Sequence, residues 1–227
     1  MLRNVCKIVN NMIGKKKTKQ ISHWAGTEGN AYVDRNPKNT KQLERLYRKD
    51  YDVSRGSMDE DFLKTIRKDT SILEVGANVG TQLQLLREQG FSKLLGVDIN
   101  RHAIKEAKRL RPDVDIFEAS GFDLPFKDGA FDLVYTSGVL IHISPKDVKE
   151  IMREMHRVSG KYIWGFEYYA PKCTEVTYRG KKNLLWKTDF SALFLKEFPD
   201  LKVVKEKIYP MTDGVNATKM YLLKKVH

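Results

Sequence analysis

From Ser71 onward the chain repeats one pattern: a short apolar run, a turn holding glycine, asparagine or proline, then about ten residues with apolar positions at helical spacing. The runs Ser71 to Gly76 (SILEVG), Lys93 to Asp98 (KLLGVD), Val114 to Ala119, Phe131 to Thr136 (FDLVYT) and Tyr162 to Tyr168 read as strands. Between them, Gly80 to Gly90 carries Leu83, Leu85 and Leu86, and Arg101 to Leu110 carries Ile104 and Ala107. The spacing of Val148, Ile151, Met152, Met155 and Val158 predicts a helix, with Ser144 as its cap and Pro145 at its first position. A further helix spans Asp189 to Phe198 and stops at Pro199. The strands Lys202 to Ile208 and Thr218 to Lys224 then close the chain. Strands alternating with helices require a mostly parallel sheet covered on both faces, and right-handed crossovers make it doubly wound. The expected fold is therefore α/β, with a doubly wound, mostly parallel, seven-stranded sheet whose last two strands form an antiparallel edge hairpin.

Upstream, residues 21–70 read as irregular and then helical. Asn39 or Thr40 caps a helix bearing Leu43, Leu46 and Tyr47; Ser57 and Glu60 have capping-box spacing ahead of Phe62, Leu63 and Ile66. Residues 1–20 form a basic tail in which Lys15, Lys16, Lys17 and Lys19 follow the apolar stretch, the reverse of a signal peptide. This tail reads either as a solvated extension or as a short segment that touches membrane or nucleic acid. The expected organisation is this tail, an N-terminal lid with helices over 21–70, and one domain over 71–227 with an insertion near 170–190.

Composition narrows the function. With 227 residues, 41% of them hydrophobic, the chain supports one sizeable core. The two cysteines, Cys6 and Cys173, form no CxxC pair, so neither a disulfide framework nor a zinc site is indicated, and no metal is expected. This fits a reducing, cytoplasmic setting. No apolar run approaches the length of a membrane span. The net charge of +12 is spread along the chain, a hint toward anionic ligands that falls short of a nucleic-acid signature.

In doubly wound sheets, ligands sit at the carboxyl ends of the strands. After the first strand comes Glu74-Val75-Gly76-Ala77-Asn78-Val79-Gly80. Gly76 and Gly80 permit a tight turn, and asparagine is one of the few other residue types that tolerates a left-handed conformation. After the second strand comes Asp98, followed by Ile99; a carboxylate there accepts the two hydroxyls of a ribose. The glycines run G-x-N-x-G and not G-x-G-x-x-G. Glu74 also puts a negative charge beside the loop, which disfavours a pyrophosphate and favours a cationic ligand such as S-adenosylmethionine (SAM). Ser120 and Gly121 follow the third strand and are candidates for an adenine contact; Ser137 and Val139, in SGVLIHI, wall the cofactor and face its methyl group.

These residues resemble the class I SAM-dependent methyltransferases, whose fold is Rossmann-like. Glu74 to Gly80 is similar to their first motif, Asp98 to their ribose-binding acid, and LPFKDGAFDLV with VLIHI to their later motifs. Two departures are Asn78 at the middle glycine and Ser120 where an acid is frequent. A narrower resemblance, on HWAGTEGNAYVDRN, EVGANVG, SGVLIHISP, FEYYAP, VTYRGKKNLLWKTDF and FPDLKVV, is to methyltransferases associated with pseudaminic acid biosynthesis. It implies a small-molecule acceptor linked to an acidic nonulosonic sugar or another glycan precursor.

Methyl transfer needs an acceptor held in line with the methyl, and a base only where the acceptor is a hydroxyl or a protonated amine. His142, with a pKa expected near neutrality, and Glu167 are the candidate bases. Tyr168 and Tyr169 are candidates to orient the acceptor, Arg35 and Arg179 to clamp an anion, and Trp24 with Tyr32 to close a lid. Each has a plain alternative in packing or surface solvation. The charge leaves an RNA or protein methyltransferase as a competing reading, against which SGVLIHI lacks an NPPY-type amine motif. A non-catalytic SAM-binding module is a third reading.

Overall fold

In the computed structural model, which describes residues 16–226, the strand and helix pattern closes into a seven-stranded sheet. Four helices come first: α1 (Lys19–Ala25), α2 (Thr27–Arg35), α3 (Thr40–Tyr51) and α4 (Arg55–Leu63). Then follow β1 (Ser71–Val75), α5 (Thr81–Glu88), β2 (Lys93–Asp98), α6 (Arg101–Leu110), β3 (Asp115–Glu118) and β4 (Phe131–Ser137). A 3₁₀ turn at Leu140–His142 leads to α7 (Val148–Val158) and β5 (Ser159–Tyr168). The chain ends with β6 (Thr174–Glu175), β7 (Trp186–Lys187), α8 (Phe190–Glu197), β8 (Leu201–Pro210) and β9 (Ala217–Lys225). The sheet order is β3-β2-β1-β4-β5-β9-β8, and β6 with β7 forms a separate two-stranded ribbon. The first five strands pair in parallel; β9 runs antiparallel to both β5 and β8, as the hairpin reading expects.

Both faces of the sheet are covered. One face packs Ile72, Leu133, Met220 and Leu222 beneath Phe62, Leu83, Leu86 and Ile104. The other packs Leu73, Val75, Val134, Tyr221 and Leu223 beneath Ile151, Met152, Met155 and Phe194. Adjacent residues of one strand enter opposite cores, as the two-residue strand period requires.

Several local expectations are refined. Helix α7 begins at Val148 with Asp147 as its N-cap; Ser144 and Pro145 belong to the tighter turn before it, where the Asp147 N–H donates to Ser144 O at 2.8 Å. Helix α4 begins one turn before Ser57, because Ser54 Oγ accepts the Ser57 N–H and caps it. For α3, the cap is Asn39, whose side chain accepts from the Gln42 N–H. The segment read as irregular holds α1 and α2. The tail boundary also moves: Lys16 pairs with Asp147 and Glu150, and Gln20 is buried. Cys6, Lys15 and the rest of residues 1–15 lie outside the described residues. Among the described residues, no helix is long and apolar enough to cross a membrane, and no three His, Cys, Asp or Glu side chains converge as metal ligands.

Candidate cofactor and acceptor site

The loop after β1 owes its shape to three left-handed residues, Gly76 (φ +78°), Asn78 (φ +50°) and Gly80 (φ +75°). A Cβ on Gly76 would lie 2.5 Å from Val139 Cγ2, and one on Gly80 would lie 2.7 Å from Ile116 Cδ1. Glycine is thus required at both positions by conformation and by space. The loop hangs from β2, with the Gly76 and Ala77 N–H groups donating to Val97 O at 2.8 and 3.0 Å. Asp98, at the end of β2, accepts the N–H of Asn78 (2.7 Å) and that of Asn100 (2.8 Å). Burial raises the Asp98 carboxyl above its usual range, and those two N–H groups oppose the shift. Each carboxylate oxygen keeps a free lone pair for a ligand hydroxyl.

These strand ends wall a cavity of about 560 Å³, within the range of small-ligand sites. Glu74 is buried at its edge, and burial pushes its carboxyl up to about 8. Three buried acceptors among the lining residues have no hydrogen-bond partner: Glu74 Oε2, Asn78 Oδ1 and Gln82 Oε1. Gln82 Nε2 lies 3.0 Å from Ser137 Oγ. Ser137 Oγ is held in turn by Arg55 Nη1 (2.9 Å), within a buried Arg55–Asp59 ion pair. Acceptors left without donors are costly unless a ligand supplies the protons. This end of the cavity suits an ammonium-bearing ligand with a ribose: Glu74, Asn78 and Gln82 would offer acceptors to the ammonium, and Asp98 to the hydroxyls.

The other end is roofed by side chains from distant segments. Trp24 of α1 lies 4.3 Å from the His142 ring, 5.2 Å from Tyr32 and 5.9 Å from Tyr178, between ring centroids. The arm docks on the Asp98 side through Asn100 Nδ2, which donates to Trp24 O (2.8 Å) and Asn30 Oδ1 (3.0 Å). His142 Nδ1 lies 2.7 Å from Leu184 O, a pure acceptor, so Nδ1 carries the proton and Nε2 is an acceptor. Burial lowers the His142 pKa to about 4, well below the near-neutral value expected from sequence.

Of the residues singled out in the sequence, Glu74, Gly76, Asn78, Asp98, Ile99, Ser120, Gly121, Ser137 and Val139 line the cavity. So do His142, Tyr32 and Tyr168. Gly80 shapes the loop from behind. Four others stand apart. Glu167 is buried beneath the turn after β4, where it accepts the N–H of Val139 (3.1 Å) and Ile141 (3.3 Å); burial pushes its carboxyl up to about 7. It fixes the turn that carries Val139 and His142, and does not face the cavity. Tyr169, one residue past the end of β5, lies outside the cavity lining and packs against Lys219. Arg35 is exposed over the Tyr32 ring, and Arg179 is exposed in a left-handed turn (φ +49°). Sequence reading missed Gln82, Asn100 and Lys187. Gln82 and Asn100 sit one helical turn or less from motif residues, a signal that was available; Lys187 had none.

Residues 73–161 match the family model described as a methyltransferase domain. An uncharacterized methyltransferase of Synechocystis sp. is 33% identical over 79 residues, which is 35% of this chain and 37% of that one. A crystal structure of a Pyrococcus horikoshii protein superposes with a TM-score of 0.65 at 16% identity, covering 86% of this chain and 99% of that one. The 1,6-didemethyltoxoflavin-N1-methyltransferase of Burkholderia thailandensis, solved with S-adenosylhomocysteine bound, gives a TM-score of 0.61 at 16% identity, with 76% of each chain covered. Curated relatives are matched over only 30–41% of their own length. Residues 73–161 are thus similar to a methyltransferase domain, and the fold is the Rossmann-like α/β fold of these solved structures.

Proposed function

We propose that the protein transfers a methyl group from SAM to a small anionic acceptor, such as the nonulosonic acid or related glycan precursor that the narrower sequence resemblance implies. The observation that carries the cofactor is the trio of unpartnered buried acceptors, Glu74 Oε2, Asn78 Oδ1 and Gln82 Oε1, beside the Asp98 carboxylate. A small acceptor is supported by the aromatic roof of Trp24, Tyr32 and Tyr178, which covers the cavity where a nucleic-acid strand would need an open groove.

When bound, SAM supplies a methyl group on a cationic sulfur that departs as a neutral thioether. The roof excludes water from the acceptor. An acceptor hydroxyl donates to Nε2 of His142, the tautomer set by Leu184 O. As that oxygen gains positive character its proton becomes strongly acidic, so an imidazole with a pKa of about 4 is basic enough to take it and then release it to solvent. Glu167 keeps His142 in place by holding the Val139 and Ile141 N–H groups.

Calorimetric titration with S-adenosylhomocysteine tests the cofactor assignment. The wild type is expected to bind at micromolar concentration, and Asp98→Ala to weaken binding by about a hundredfold, the value of two hydrogen bonds to a charged group. A folded wild type that does not bind ends the proposal. RNA binding with a steep salt dependence would shift the acceptor to a nucleic acid.

A further inference from the structure

An anionic acceptor entering this cavity needs a protein cation to receive it. Among the described lining residues, the acidic side chains are Asp50, Glu74 and Asp98, and the one lysine or arginine is Lys187. Neither arginine that the sequence offered as an anion clamp lines the cavity. Lys187 stands on β7, which packs against both β5 and the 3₁₀ turn of His142. The base candidate and this ammonium thus belong to one wall.

The ammonium of Lys187 is positioned and left partly unsatisfied. Its Nζ donates to Asn216 Oδ1 and lies 5.7 Å from the Tyr168 ring centroid. The Asn216 amide is held in one orientation, because its Nδ2 donates to Asp213 Oδ2. Asp213 Oδ1 in turn accepts the N–H of Val215 (2.9 Å) and of Asn216 (2.8 Å). Asp213 therefore directs Asn216 toward Lys187 without itself pairing with it. Two other lysines carry carboxylate partners: Lys219 pairs with Asp189 at 2.9 Å and Glu206 at 3.2 Å, and Lys181 pairs with Glu28. Among the described residues, no carboxylate oxygen lies within 4 Å of Lys187 Nζ. An ammonium has three donors, and Asn216 takes one.

We propose that Lys187, oriented by Asn216, is the residue that binds the acceptor's anionic group, a carboxylate or a phosphate. This rests on the methyl-transfer reading for which end of the cavity the acceptor occupies. It replaces Arg35 and Arg179 in the role the sequence suggested for them. Lysine acts here as a point charge, so it discriminates charged from neutral acceptors more than it discriminates one oxyanion from another.

The test is calorimetric titration of the protein saturated with S-adenosylhomocysteine. N-acetylneuraminate serves as a carboxylated sugar and glucose 1-phosphate as a phosphorylated one, with N-acetylmannosamine and glucose as their uncharged counterparts. Wild type is expected to bind at least one charged sugar more tightly than its neutral counterpart, and which one identifies the oxyanion. Lys187→Gln is expected to weaken that binding about tenfold, the scale of one charge-assisted contact, and to leave the neutral sugars unchanged. Lys187→Arg should recover part of the loss, and every variant should bind S-adenosylhomocysteine as the wild type does. Equal affinity of Lys187→Gln and wild type for the charged sugars overturns the assignment. So does a wild type that prefers neither charged sugar. If wild type fails to bind S-adenosylhomocysteine, the methyl-transfer reading falls, and the same sugar titrations run without it still decide whether Lys187 binds anions.

Discussion

The two ends of the cavity are built by different means. At the cofactor end, position comes from the main chain: strand ends, the left-handed residues Gly76, Asn78 and Gly80, and N–H groups aimed at Asp98. At the acceptor end, position comes from side chains of segments far apart in sequence, as where Gln20 Nε2 donates to Asn183 O across 163 residues. A backbone-built site is specified by a few adjacent residues and varies little without breaking. A side-chain-built site is specified by its tertiary contacts and changes one contact at a time. Under the proposed function, a fixed cofactor and a variable acceptor suit that division.

The contrast breaks most sharply at Gly76. Gly76→Ala combines positive-φ strain with the clash at Val139 Cγ2, together about 4 kcal/mol, or about a thousandfold in S-adenosylhomocysteine affinity. Calorimetry with a urea midpoint alongside measures it; near-wild-type affinity would mean that the loop is not fixed by its main chain. At the other end, His142→Gln should slow methyl transfer to a hydroxyl acceptor about a hundredfold while leaving S-adenosylhomocysteine affinity unchanged. A radiolabelled methyl assay with parallel titration separates the two quantities, and a matched loss in both would merge the two ends.

Glu74 sharpens the comparison through pH. In the free protein its carboxyl titrates at about 8, raised by burial, so below that pH it holds a proton. Binding an ammonium favours the ionised form. Affinity for S-adenosylhomocysteine should therefore rise between pH 6 and 8, by at most about tenfold per unit, with proton release. Calorimetry in buffers of different ionisation enthalpy reads that release, and Glu74→Gln should flatten the profile. The smallest effects belong to Arg35→Ala and Arg179→Ala, each expected within about twofold of wild type in charged-sugar binding, because both side chains are exposed outside the cavity.

The same division explains what the sequence revealed. The strands, the order of helices after Ser71 and the edge hairpin follow from apolar period and turn residues, which are local. So do Glu74, Gly76, Asn78 and Asp98, because a strand end in a doubly wound sheet has a known position. The acceptor end obeys no local rule. Lys187 is one of 41 lysines and arginines, and only the approach of Asn216, with Tyr168 beside it, sets it apart. Arg35 and Arg179 had the better chemistry for clamping an oxyanion, but tertiary packing left both outside. The pKa of His142 departs from neutrality because the roof buries it, and burial is not written in an amino-acid type. Glu167 looked like a base at a strand end, yet it hydrogen-bonds the turn above it.

The roof has a consequence for redesign. Arm and acceptor loop are laced to each other as well as to the domain: Gln20 to Asn183, Glu28 to Lys181, and Trp24 against Tyr178. Transplanting the loop from another chain would leave three residues of the arm facing strangers. Retargeting such a protein to a new acceptor is a two-segment operation, in which residues 19–35 and 172–188 are exchanged as a pair and the strand ends are left untouched.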